Sequence, residues 1–194
     1  QIKDALQEAS MPLLEATLLS VHSCNNNHSV LEAVRRRHIQ ALEFLLWNGA
    51  RNLDEQCYGR RALHHALQCC LATGDVGYKM AELLLKAGAR PVQCPGDDPE
   101  AGGPLHDAAR RGIAAGVELL LRYGANPRVG DLNGSTPLHI ACQSAMADDP
   151  LLRLPMAPFQ ADVANLRLEI DVHVKVVNLL LRNGACPFQK DKVG

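Results

Sequence analysis

An apolar triplet followed two residues later by Gly-Ala recurs four times along the chain, and this spacing constrains the fold more than any other feature. Phe44-Leu45-Leu46 precedes Gly49-Ala50, Leu83-Leu84-Leu85 precedes Gly88-Ala89, Leu119-Leu120-Leu121 precedes Gly124-Ala125, and Leu179-Leu180-Leu181 precedes Gly184-Ala185. The glycines lie 39, 36 and 60 residues apart, a period of 33 carrying insertions of 6, 3 and 27 residues. A fixed period of this length marks a solenoid, in which no unit buries its apolar face without stacking on the next. With aromatics at 4% and leucine and alanine abundant, the chain suits helices packed through small residues better than an aromatic-rich sandwich.

A second landmark has the same period. Gly103-Pro104-Leu105-His106 and Thr136-Pro137-Leu138-His139 are 33 residues apart, and Arg61-Ala62-Leu63-His64 is a degenerate copy. Thr136 is placed to cap a helix with its hydroxyl, Pro137 suits the first helical turn, and Leu138 and Ala141 fall on one face. The helix through Leu181 ends where Gly184 can turn left-handed and Pro187 cannot continue. Thr-Pro-Leu-His, then Ala-Ala or Ala-Cys, a leucine run and Gly-Ala resembles the ankyrin repeat from about residue 28 to the end. The resemblance implies an all-α solenoid of stacked helix pairs with short outward β-turn fingers, acting as a non-catalytic protein-interaction module or scaffold.

The units are expected at His28 to Asn52, Leu53 to Val92, Gln93 to Val129 and Gly130 to Lys190. In the first, helices are expected from Ser29 to Arg36 and from Ile39 to Trp47. Gly74-Asp75 in the second reads as a lengthened connection between helices, and the third is preceded by the turn-rich Cys94-Pro95-Gly96. The fourth departs most from the family, with an insertion over about 145–172. Within it Asp148-Asp149-Pro150 reads as loop, while Val163, Leu166, Ile170, Val174, Val177 and Leu181 recur every three or four residues. That pattern extends the second helix backwards, so that it projects from the stack. Residues 1–27 fall outside the period and read as a helical cap or a degenerate repeat. The start at Gln1 and the final Asp191-Lys192-Val193-Gly194, which opens another unit, suggest a piece of a longer array.

His64, His65, Cys69 and Cys70 lie close enough on one helix to suggest a metal site, and His139 with Cys142 suggests a nucleophile and its base. A structural reading explains both more simply. His64, His106 and His139 share one motif position, where the resemblance implies a hydrogen bond to neighbouring backbone. No phosphate loop, dinucleotide fingerprint or HExxH motif is present, so no enzyme, cofactor, metal site or small-molecule substrate is expected. Seven cysteines without a CxxC pair favour a reducing cytoplasmic or nuclear compartment. No apolar run approaches the ~20 residues of a membrane span.

Charge carries the functional information. Lys and Arg number 20 against 21 Asp and Glu, for a net charge of −1, which argues against nucleic acid as the partner. Yet seven arginines fall into three groups, Arg35-Arg36-Arg37, Arg60-Arg61 and Arg110-Arg111, at the end of an inner helix or in a finger. In ankyrin-like stacks those places line the concave face. Arginine suits bidentate recognition of carboxylates, so an acidic segment of another protein is the expected partner. The expected contacts are Arg35, Arg36, Arg60, Arg61, Arg110, Arg111, Asn133 and Ser135, with Leu151, Leu152 and Phe159 of the insertion as a second surface. A solvated helix end explains the arginines equally well. The alternatives are a targeting or substrate-receptor portion of a larger protein, such as a ubiquitin ligase or channel, and a permanent subunit of a large assembly.

Overall fold

Each proline-led or alanine-led tetrapeptide starts a short inner helix, and each leucine run forms an outer one. The computed structural model describes residues 29–50, 53–54, 56–57, 60–73, 75–92, 102–147, 163–190 and 192. Among them the inner helices are α1 (Ser29–Arg35), α3 (Ala62–Thr73), α5 (Pro104–Arg110) and α7 (Pro137–Ala147). The outer helices are α2 (Ile39–Trp47), α4 (Asp75–Lys86), α6 (Ala114–Arg122) and α8 (Val163–Arg182). Each inner helix packs on its own outer helix and on the inner helix of the next unit, and the outer helices likewise touch in sequence. This is the expected all-α solenoid. In one finger β1 (Gln56–Cys57) and β2 (Arg60–Arg61) form a two-stranded antiparallel ladder that pairs Gln56 with Arg61.

The inner helices start by a common device. In α5, Pro104 fills the first turn and the Nδ1 of His106 accepts the Gly103 N–H at 3.2 Å. The same three-residue reach joins His64 to the Arg61 N–H at 3.2 Å and His139 to the Thr136 N–H at 3.1 Å. Each bond satisfies an amide that the first turn of a helix otherwise leaves without a partner. The outer helices end by another. Gly124 takes a φ of 86°, and the Ala125 N–H reaches back to the Leu120 carbonyl at 3.0 Å. The chain reverses into the finger there, as at the other three Gly-Ala pairs.

The core is a ribbon of leucine, valine and alanine running the length of the stack. Leu42, Leu67, Met80, Leu84, Leu120, Val176 and Leu180 are fully buried, and Ala66, Ala108 and Ala141 stand at one inner-helix position. A methyl group there lets neighbouring inner helices approach closely. No helix among the described residues is long and apolar enough to cross a membrane.

Two sequence expectations change. The six extra residues of the second unit lengthen its helices rather than their connection: α3 and α4 have 12 residues each, and residue 74 alone separates them. Gly77 makes this possible, because a Cβ there would lie 2.3 Å from the Cys70 nitrogen. The fourth outer helix does reach back to Val163, as expected, but its Val172 and His173 rest on the stack rather than project. His173 is buried, its Nε2–H donates to the Arg110 carbonyl at 3.4 Å, and Val172 lies against the turn at Gly112. Residues 1–27 and most of the insertion, including Leu151, Leu152 and Phe159, lie outside the described residues.

Candidate partner-binding surface

Successive inner helices put equivalent residues in register. Glu32, His65, Asp107 and Ile140 share one position. Three residues on, Arg35, Gln68, Arg110 and Gln143 are all exposed and form a row across the four units. Arg35 lies 3.5 Å from Glu32, and among the described residues Arg110 has no ion pair. Arg60, on β2, is half-buried beside the start of α3.

The other arginines are more constrained. Arg36 is held to Glu32 at 2.6 Å, and Arg111 to Asp107 at 3.0 Å, the same i,i+4 pair in the first and third units. Each carboxylate offsets part of the charge expected to face a partner.

Arg61 is a correction. It is 0% exposed, standing where Thr136 stands in the fourth unit, and its guanidinium is spent inside the fingers. It pairs with Asp54 at 3.0 Å and donates to the carbonyls of Arg90 at 3.1 Å and Val92 at 2.5 Å. Asp54 also accepts the Arg90 N–H at 3.2 Å, so this cluster ties one finger to the next. Burial of this kind removes Arg61 from any contact surface. The signal was present in the sequence, since the degenerate tetrapeptide already aligned Arg61 with a helix-capping position.

Ser135 is the second correction, being buried at 8% exposure with its N–H on Asp131 Oδ1 at 2.9 Å. Asn133 stays exposed at the finger tip, its N–H on the same oxygen at 2.8 Å. One aspartate therefore shapes this finger. The Asn133 carbonyl accepts the Lys192 N–H at 2.8 Å, joining it to the last finger. Between the same two fingers Arg128, which the sequence reading passed over, donates to the Gly184 carbonyl at 2.6 Å.

The titratable groups behave as parts of the scaffold, with one exception. His106 accepts a backbone N–H on Nδ1, so its proton sits on Nε2 and is donated to the Val129 carbonyl at 3.0 Å. Burial holds its pKa below the usual histidine range, against the raising effects of Asp131 and its backbone bonds. His139 spends Nδ1 on the Thr136 N–H and hydroxyl, which leaves that nitrogen unable to act as a base toward Cys142. Burial, then the neighbouring Cys69, push the Cys70 thiol up to about 11. Its Sγ reaches the Ala66 carbonyl at 3.5 Å, and the thiol is not a ready nucleophile. The exception is His65. It is half-buried, faces Arg35, Arg60 and Asp107, and makes no hydrogen bond among the described residues; burial, then the two arginines, lower its pKa.

Asp107 is the residue that sequence reasoning missed. It is 2% exposed, one oxygen is held by Arg111, and Oδ2 is buried with no hydrogen-bond partner. Its place directly after His106 in the motif, in register with His65, was the available clue.

Comparison with known proteins agrees with this architecture. Residues 77–149 match the family model for ankyrin repeats in three copies. The mouse ankyrin repeat and SOCS box protein 16 is 37% identical over 116 residues, 57% of this chain and 24% of that protein. A putative E3 ubiquitin-protein ligase of Arabidopsis thaliana, XBAT34, is 33% identical over 119 residues, 61% of this chain and 30% of the relative. Human cyclin-dependent kinase inhibitor 2A is 34% identical over 109 residues, 56% of this chain and 64% of the inhibitor. The chain thus spans between 24% and 30% of the length of the first two relatives. Ankyrin repeats are protein-interaction modules. Capped inner helices, glycine-terminated outer helices, linked fingers and the match to the repeat model lead to one assignment: residues 77–149 carry ankyrin repeats, and the helix pairs on either side continue the same all-α solenoid.

Proposed function

We propose that this chain is a non-catalytic module that holds an acidic segment of another protein along its inner helices and fingers. One observation carries the reading. In a molecule of net charge −1, exposed Arg35 and Arg110 stand in one row on packed inner helices, with half-buried Arg60 on β2 beside them. Rigid display of arginine keeps the ordering cost of binding low and favours carboxylate partners. Asn133 at the finger tip and Arg36 and Arg111 at the rim extend the surface. Leu151, Leu152 and Phe159 of the insertion supply a second contact.

The test is crosslinking mass spectrometry on the native protein captured with its partner, compared with the Arg60→Glu/Arg110→Glu variant. We expect the variant to lose the partner while keeping its helical circular dichroism, and the native crosslinks to map to inner helices and fingers. Retention of the partner, with crosslinks confined to 148–168, overturns the groove and leaves the insertion as the attachment site.

A second reading has its own support, because one of the relatives, XBAT34, is named as a putative E3 ubiquitin-protein ligase. In it, the same groove selects the substrate for a ubiquitin ligase of which this chain is part. Ubiquitin transfer to the captured partner, lost in the same double variant, is the expected result. Transfer that persists at the native rate in the variant argues against it.

A further inference from the structure

Resting on the reading that an acidic segment occupies the groove, we propose that His65 centres a carboxylate subsite that takes up one proton as an acidic side chain of the partner docks. The argument begins with Asp107. A buried carboxylate oxygen without a donor is uncommon and costly, and Asp107 Oδ2 is such an atom. It belongs to α5, and the ring of His65 on the adjacent α3 lies within the field of its charge.

Three charged groups act on His65, Arg35 from α1, Arg60 from β2 and Asp107 from α5, while Glu32, the α1 residue in register with it, is already paired with Arg35 and Arg36. The other inner-helix histidines at the capping position have Nδ1 committed to backbone amides, whereas His65 has both nitrogens open. A neutral imidazole has a single N–H. It can serve Asp107 Oδ2 or an incoming carboxylate, but not both. The imidazolium has two, one for the buried oxygen and one for the ligand, while Arg35 and Arg60 flank the same carboxylate.

The free protein disfavours that proton, since burial and two arginines oppose it. A docked carboxylate offsets the arginine charges and supplies an acceptor, so it raises the affinity of His65 for the proton. By linkage, the proton then raises the affinity for the ligand, and binding strengthens as the pH falls through the histidine range. The ligand side chain stays ionised there, because free glutamate titrates near 4.3.

The experiment uses deca-glutamate as the probe for the full chain. Isothermal titration calorimetry is run at pH 7.5 and 6.0, in two buffers of different ionisation enthalpy, on the native protein and on His65→Gln. The expected result is about fivefold tighter binding at pH 6.0, with net proton uptake in the native protein, and pH-independent binding by His65→Gln. If the peptide binds equally at both pH values, or the substitution leaves the pH dependence intact, the subsite is refuted while the arginine groove stands. If deca-glutamate fails to bind at either pH, the groove reading falls and the subsite falls with it.

Discussion

Arg60 and Arg61 are neighbours in the chain and opposites in the structure. Arg61 turns inward to an acid and two carbonyls, whereas Arg60 stays half-exposed on β2. We expect Arg61→Met to lower stability in urea titrations by about 2–4 kcal/mol, since it removes a buried donor while leaving its acceptors behind. Arg60→Met is expected to change stability by less than about 0.5 kcal/mol. Equal effects would mean that the two residues share one environment. His106 supplies a second prediction at this scale. Its folded pKa is depressed by burial, so the unfolded chain binds the proton more readily near pH 6.5 and stability rises with pH there. Its contribution is complete above the unfolded value and lost as the pH falls from there toward the folded one; His65 acts in the same sense. Urea midpoints at pH 7.5 and 5.5 should therefore differ, the lower pH being the less stable, and His106→Gln should shrink the difference. At this scale the sequence was legible where a motif repeats, as with the histidine caps. Asp107 was hidden because its environment is made by α5 itself, Arg111 and the neighbouring unit together.

Among the elements, turns and close approaches matter most. The turn between α1 and α2 places Arg37 at φ 60°, where the equivalent turn of the third unit has Gly112 at φ 68°. A side chain in that region costs about 1–2 kcal/mol, part of which glycine returns as unfolded-state entropy. Arg37→Gly should raise the thermal midpoint through a net gain of about 0.5–1 kcal/mol, and a lower midpoint would sink the strain argument. Gly77 stands at the opposite limit. Its Cβ would meet three backbone atoms of α3 at 2.3–2.8 Å, and backbone cannot step aside as a side-chain tip can. Gly77→Ala is expected to cost about 3 kcal/mol, measured by chemical denaturation, and to loosen the packing of α4 on α3. A cost near zero would mean that the two helices separate freely. Element boundaries were read well wherever glycine and proline punctuate the chain. The long helices of the second unit were misread because Gly74-Asp75 signals a turn without revealing how much helix flanks it.

For the molecule as a whole, the period of 33 foretold stacked units, and the packing of inner on inner and outer on outer helices agrees with it. What periodicity does not carry is the linking of fingers by Arg61, Arg128 and His106, whose bonds to Arg90, Gly184 and Val129 join backbone 23 to 56 residues away. Nor does it carry the rest of His173 on the turn at Arg110, since the insertion interrupts the register from which neighbours are read. The surface that results is uneven, with Trp47 on α2 exposed to 74% and Phe188 in the last finger to 88%. Trp47 is the one tryptophan of the sequence, and this has an optical consequence. An indole already in water emits in the native state much as it does in a denatured one. Intrinsic fluorescence should accordingly shift little across a urea transition that circular dichroism records in full. A large red shift on unfolding would show that Trp47 is shielded in solution. With so little background from folding, a blue shift on adding a second protein would report that protein's arrival at α2.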